Sequence, residues 1–438
     1  MKFLSALAVA SVLAASPAVA APIALVGARI IDGNGGTPIE NGTILIDGSR
    51  IVAVGTNVAI PKGAQRIDEH GRTIIPGLIT DHSHIGQYQG VTEGPAAYTR
   101  ASIVAQLAQY RKYGVLTVVA LGDNRPLFDT LRADAHAGLL PTDLYGVDQG
   151  IGVPNGALPQ AVFHSAPDQL FRPTTPEEAR EAVRKMVAEH TDLVKIWVDN
   201  FGGSLPAKMS PEIYRAVIDE SHRLGVRVAA HIHDLDDAQG VIDAGVDILA
   251  HGVRDQPVPP AFVAELKAKG IWYIPTLSLD EATVAWAKQE PWTLTPMARA
   301  GLSPELAHEI DDPAWRAKTL ASPQAPAAEA SLAMNLRNLA TLYKAGVKIG
   351  FGTDSGAVPL RVPGVEEHRE LVLLVQAGLT PLQAITIATR DAAALMELPD
   401  RGTIAPGKRA DLVVLSADPT HNIRAVGNIA ETWSHGER

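Results

Sequence analysis

Pro76-Gly-Leu-Ile-Thr-Asp-His-Ser-His-Ile-Gly86 reads as an apolar strand that ends in two histidines spaced two residues apart. Side chains two apart on a strand point to the same side. His82 and His84 are therefore able to close on one metal ion from a single rigid element. In a chain of 438 residues, long enough for a barrel, such a strand near the start suggests metal-assisted hydrolysis. A His-x-His pair also arises by chance on many surfaces. Its weight here comes from four more ligand-type residues at the ends of later predicted strands.

The first twenty residues read as a signal peptide rather than part of the fold. Lys2 gives a positive start, Leu4 to Ala15 an apolar stretch, and Ala18-Val19-Ala20 a small-residue cleavage site. The apolar run is too short for a spanning helix and is broken by Pro17, so a membrane anchor is the weaker reading. Cleavage after Ala20 implies export, to a bacterial periplasm, and leaves 418 residues with a formal charge of −11 once Lys2 is lost. The chain has no cysteine, which excludes lipid acylation at cysteine, disulfides, thiolate ligands and cysteine nucleophiles. Its acidic balance and lack of a basic run argue against nucleic acid as a partner, and no later segment is apolar enough for a membrane.

After residue 20, short β-branched runs alternate with turns: Ile23-Ala-Leu-Val26, Thr43-Ile-Leu-Ile46 and Ile51-Val-Ala-Val54, separated by Asp32-Gly33, Gly35-Gly36 and Asp47-Gly48. The pattern returns only in Ala410-Asp-Leu-Val-Val-Leu415. The expectation is a small β-sandwich built from both chain ends, residues 21–73 and 401–438, with residues 74–400 inserted as a catalytic domain. That middle alternates apolar runs with helical stretches, the mark of βα units. Runs at 74–82, 116–121, 143–147, 193–198, 226–231, 247–251, 272–276 and 349–354 give an α/β fold, a (β/α)8 TIM barrel. The seventh connection, 277–347, holds Trp286, Trp292 and Trp315, and reads either as a lid or as helices packed on the barrel's side.

In Leu193-Val-Lys-Ile-Trp-Val-Asp199, Val194, Ile196 and Val198 share a face, which turns Lys195 toward the barrel interior. A lysine there is costly unless neutral or paired. A neutral amine is able to add carbon dioxide and become a carbamate that bridges two metals; a salt-bridged interior lysine is the plain alternative. His231 and His251 end consecutive strand runs, and Gly252 is expected to let the backbone turn tightly beside a ligand. His233 shares a face with His231 but lies past the strand end. Asp354 closes the set, with Gly350 and Gly352 on its face expected to leave room in the barrel mouth; an N-cap role is its plain alternative. Imidazole and oxygen donors suit zinc, or manganese, cobalt or nickel.

These motifs, with Ile75-Pro-Gly-Leu-Ile79 leading into Asp81-His-Ser-His84, Gly352-Thr-Asp-Ser355 and the tail Gly402 to Leu412, resemble the amidohydrolase superfamily over nearly the whole chain after residue 20. The resemblance implies that His82 and His84 bind the more buried of two divalent ions. It implies that Lys195, carboxylated with carbon dioxide or bicarbonate, bridges them, and that His231 and His251 bind the second. Asp354 would bind the first and act as acid and base. The Val-Lys-Ile strand and the Ala-His-Ile-His segment look most like imidazolonepropionase-like and Xaa-Pro dipeptidase-like members. Where that subgroup often has Glu-His-Gly, this chain has Ala250-His251-Gly252.

The expected activity is hydrolysis of an amide in a dipeptide, an Xaa-Pro dipeptide or an N-acyl amino acid, by a hydroxide bridging two metal ions. Arg254, His233, Asn200 and Tyr88 are candidates to contact the small-molecule substrate. Alternatives are a lactonase or hydrolase of carbamates or xenobiotic esters and amides, a mononuclear deaminase of an amino-heterocycle, and a non-catalytic relative. Gly402 to Lys408 fits most of a phosphate loop, but Arg409 stands where Ser or Thr must reach magnesium. No Gly-x-Ser-x-Gly elbow is present. The family resemblance also suggests a homo-oligomer.

Overall fold

The computed structural model describes residues 21–158, 165–201 and 203–438. The signal-type segment lies outside the described residues. Eight strands run around a barrel: Leu78–Ser83, Val115–Leu121, Asp143–Val147, Val194–Trp197, Val228–His231, Ile248–Ala250, Trp272–Ile274 and Lys348–Ile349. The first three pair in parallel as one arc and the last five as another. Two seams join the arcs. At one, Ile151 donates to the carbonyl of Lys195 at 2.8 Å and accepts from Trp197 at 3.1 Å. At the other, the amides of Thr353 and Asp354 both donate to the carbonyl of His82 at 2.9 Å, and His84 donates to Ser355 at 2.7 Å. The result is the (β/α)8 barrel that the alternation implies.

Helices follow the strands and bury one face against them. Pro176–Ala188 is representative. Thr175 and Glu178 form a capping box, proline starts the helix, and Ala179, Ala182, Val183 and Met186 recur at helical spacing on the buried side. The 277–347 connection is largely helical. Trp286 is buried with Tyr113, Leu306, Ile310 and Val365, and Trp292 and Trp315 pack against them, while the Tyr113 hydroxyl donates to Met297 at 2.7 Å. Those contacts are of the kind expected for helices packed on the barrel.

A seven-stranded sheet lies beside the barrel, six of its strands ordered from Ile429–Trp433 through Leu412–Leu415, Thr73–Pro76, Ile23–Ile30 and Ile39–Asp47 to Arg50–Gly55, with Gln65–Asp68 pairing in parallel to Ile23–Ile30 off that path. Both ends of the described chain meet in it. Its alternation serves two cores: Leu412 and Val414 face the sheet's own core, whereas Val413 and Leu415 face the barrel's.

Two expectations need correction. The run at 74–82 is two strands, because the chain leaves the small sheet after Pro76 and enters the barrel at Leu78; a Cβ on Gly77 would lie 2.7 Å from Leu116 Cδ1. The glycines before Asp354 do not leave room in the mouth. A Cβ on Gly352 would lie 2.5 Å from His82 Cβ, so this glycine allows close approach of the closing strands, and one on Gly350 would lie 2.5 Å from Leu395 Cδ1, so that glycine makes room for the helix Ala392–Leu395. Gly352→Ala should therefore destabilise the protein by about 1–3 kcal/mol through overpacking at the seam; urea unfolding of the two proteins measures it.

Candidate metal centre

All six residues with ligand chemistry converge at the C-terminal ends of the barrel strands, and all are buried. Asp354 Oδ1 lies 3.2 Å from His82 Nε2 and 3.0 Å from His84 Nε2. His84 Nδ1 faces the carbonyl of Gly122 at 3.2 Å, which turns its other nitrogen inward. The His82 and His251 ring centroids are 4.6 Å apart, and those of His231 and His251 4.3 Å. One ligand atom each from His82, His251 and Asp354 fall within 4.8 Å of one another. Lys195 is completely buried on the fourth strand among them, its Nζ 5.4 Å from the centre of the Trp197 ring.

The electrostatics fit divalent cations. His251 Nδ1 and Lys195 Nζ are buried without a hydrogen-bond partner, a cost that metal ligation or carboxylation would remove. Burial, helped by Lys195, pushes His82 down to about 3, and burial also holds His231 and His251 below the ordinary imidazole range. Neutral imidazole is the form that binds metals. Burial lowers Lys195 to about 7 against the opposing pull of Asp354 and Asp199, so a large share of it is free amine near neutrality. Burial works against ionised Asp354 too, but Arg361 beside it and hydrogen bonds from His82 and His84 outweigh that and hold it well below the carboxylate range. The chain can hold charge-balanced metal in this place.

The backbone here is strained in one consistent way. Asp123, His251, Thr276 and Asp354 follow the second, sixth, seventh and eighth strands, with φ of 60°, 76°, 49° and 61°. Left-handed non-glycine residues are uncommon and cluster at functional sites. At the sixth strand this corrects the expectation for Gly252: His251 itself takes the tight turn. A Cβ on Gly252 would lie 1.9 Å from Asn335 Oδ1, so the glycine makes room for that side chain.

A cavity of about 350 Å³ opens over the cluster. Leu158, Trp197, Phe201, Leu279 and Val358 give it apolar walls, and His233, Arg254, Arg361, Gln87 and Asp123 line it with polar groups. His233, past its strand end, bonds Asp234 at 2.7 Å. Arg254 is paired with Asp280 at 3.0 Å, both groups nearly inaccessible. Asn200 and Tyr88 are not among the lining residues. Asn200 ties its own loop by accepting from Gly203 at 3.0 Å, and Tyr88 pairs with Glu93 in a short hairpin.

Sequence reading passed over three charged neighbours. Asp199 closes the Lys195 strand and puts Oδ1 3.2 Å from His231 Nε2. Arg361 forms an ion pair with Asp354 Oδ2, and Asp123 follows the second strand. Only strand-end position marked the two aspartates, and nothing local marked Arg361.

Behind Asp354, helix Val365–Gln376 presents three fully buried glutamates. Glu367 Oε1 accepts from the Thr353 and Ser355 hydroxyls at 2.6 and 2.7 Å, bracketing Asp354. Glu370 accepts from the amides of Leu277 and Ser278 at 2.9 and 2.8 Å, at the start of helix Ser278–Lys288.

The model of the amidohydrolase family matches residues 73–438. Ochratoxinase of Aspergillus niger is 26% identical over 463 residues, spanning 95% of this chain and 86% of that protein. A proposed prolidase from Bifidobacterium longum superposes with a TM-score of 0.74 at 28% identity, covering 96% of this chain and 94% of its own. A Xaa-Pro dipeptidase with methionine bound in its active site gives a TM-score of 0.75 at 24% identity, over 95% and 99%. The barrel, its strand-end ligands and this match agree: the chain belongs to the amidohydrolase family. It is accordingly an enzyme, a hydrolase of carbon–nitrogen bonds.

Two measurements follow from the glutamates. Glu367→Ala should weaken zinc binding about 10–100-fold by releasing the segment around Asp354, read by competition with a chelator. Burial raises Glu370 to about 8, so the fold favours its protonated form. Its contribution is complete below the ordinary glutamate pKa and is lost as pH rises through 8. Glu370→Gln loses one acceptor but should flatten the fall in stability between those limits, measured by urea unfolding across pH.

Proposed function

We propose that this chain is an exported, binuclear metal-dependent amidohydrolase that cleaves a dipeptide, Xaa-Pro or N-acyl amino acid amide. The observation that carries the reading is Lys195, a fully buried amine without a hydrogen-bond partner, among His82, His84 and Asp354 on one hand and His231 and His251 on the other. An amine lowered by burial toward neutrality is able to attack carbon dioxide: the N–C bond would form as one C=O π bond opens onto oxygen and one proton leaves to solvent, and the carbamate would supply oxygen donors to divalent ions held by these residues.

His82, His84 and Asp354 would hold one divalent ion, His231 and His251 the other, with Lys195 shared. Zinc, when bound, supplies Lewis acidity that polarises a carbonyl and lowers the pKa of water from about 15.7 toward 7. Asp354 takes the proton of the attacking water and passes it to the leaving nitrogen. The apolar cavity walls exclude bulk water and seat the substrate's side chain. Similarity to a Xaa-Pro dipeptidase and a proposed prolidase supports the choice of amide. Export rests on the composition of residues 1–20.

A second reading has its own observation. The tightest ligand group among the described residues is His82, His251 and Asp354, an arrangement for one ion, as in a mononuclear deaminase. Metal content decides between them. Protein produced with zinc and bicarbonate should carry two ions per chain, falling to one or none in Lys195→Ala; one ion in both proteins overturns the bridging role and favours the deaminase.

A further inference from the structure

We infer that Asp123 is a substrate-binding residue that takes the free amino group of the substrate, so that the preferred substrate is an unblocked dipeptide rather than an N-acylated amino acid. This rests on the amidohydrolase reading above and narrows it.

Asp123 belongs to the same cavity as the metal centre. The residue before it, Gly122, has its carbonyl 3.2 Å from His84 Nδ1, and a Cβ there would lie 3.4 Å from Lys195 Cγ. The backbone of Asp123 is held on both sides. Its amide donates to Gln149 at 2.7 Å, and its carbonyl accepts from Gln87 at 2.7 Å and Gln169 at 3.1 Å. That clamp holds it at φ 60°, in the left-handed region.

With its backbone so engaged, the side chain is left for something else. Asp123 is 7% exposed and its Oδ1 is buried without a hydrogen-bond partner. The neighbouring guanidinium of Arg172 is taken up by the carbonyls of Val153, Ala157 and Leu158. Among the described residues, two carboxylates line the cavity, and Asp354 is already committed to His82, His84 and Arg361. Asp123 is the one available to a cation from outside. Burial raises it to about 8, and an ammonium ion beside it restores the ionised form and supplies the missing donor. A neutral acyl group offers neither.

The test compares zinc-loaded wild type and Asp123→Asn on alanyl-proline and N-acetyl-alanyl-proline, following release of proline. The ratio of kcat/KM for the free over the acetylated substrate should exceed tenfold in wild type and fall at least tenfold in the variant, chiefly through KM. An unchanged ratio overturns the assignment. A substrate in which hydrogen replaces the amine checks the same point on wild type alone, should the variant not fold; turnover equal to that of alanyl-proline overturns it. Thermal shift with alanine against N-acetyl-alanine separates this inference from the reading it rests on. If wild type cleaves no amide yet is stabilised by alanine alone, and the variant is not, the amidase reading fails and the amine site stands. Stabilisation of wild type by both ligands equally counts against Asp123.

Discussion

A clasp two residues wide holds this molecule's chemistry together: the carbonyl of His82 accepts from the amides of both Thr353 and Asp354. It closes the barrel between the eighth strand and the first, and it sets Asp354 against His82 and His84 in the same step. The approach is so close that only glycine fits at 352. Asp81 reinforces it from the neighbouring position, its Oδ2 accepting from Phe351 at 3.1 Å. A barrel that closed one residue out of register would turn the ligand pair away from the aspartate.

The strain at the strand ends has a common logic. Loops leaving a parallel barrel have to turn within a residue or two if their first side chain is to point over the barrel axis. A left-handed step at Asp123, His251, Thr276 and Asp354 does this. Such a step is stable only where neighbours over-determine it. Glu367 brackets Asp354 and glutamines clamp Asp123, while at the seventh strand Glu370 binds the two amides that follow Thr276. Buried acids that look wasteful in composition are thus the supports of the site.

Much of this was legible in the sequence. Histidine and lysine at strand ends are conspicuous because imidazoles and amines are rare in apolar runs, and period-two alternation correctly put Lys195 inside. The strand Asp143–Val147 was likewise readable to its ends. The gaps have physical causes. Gly77 hides a change of sheet inside one apolar run, since both strands are buried and look alike. Gly252 and Gly352 invite a reading as turn or space, when their contacts are with Asn335 and His82, residues far away in the chain. Arg361 sits in a loop whose course no local pattern specifies, and nothing in the sequence discriminated among Tyr88, Asn200 and His233 as lining candidates.

The small sheet joins Ile30 to Ile74 and Pro76 to Leu412, so its order runs from one end of the described chain to the other through the strand that leads into the barrel. The early hairpins have partners nearby in sequence, but one edge of Thr73–Pro76 is covered only by Leu412–Leu415. Leu412, Val414 and Trp433 complete that core from the far end of the described chain. The layer therefore closes only through contacts of very high sequence separation, and without Leu412–Leu415 the strand that leads into the barrel would carry an open, apolar edge.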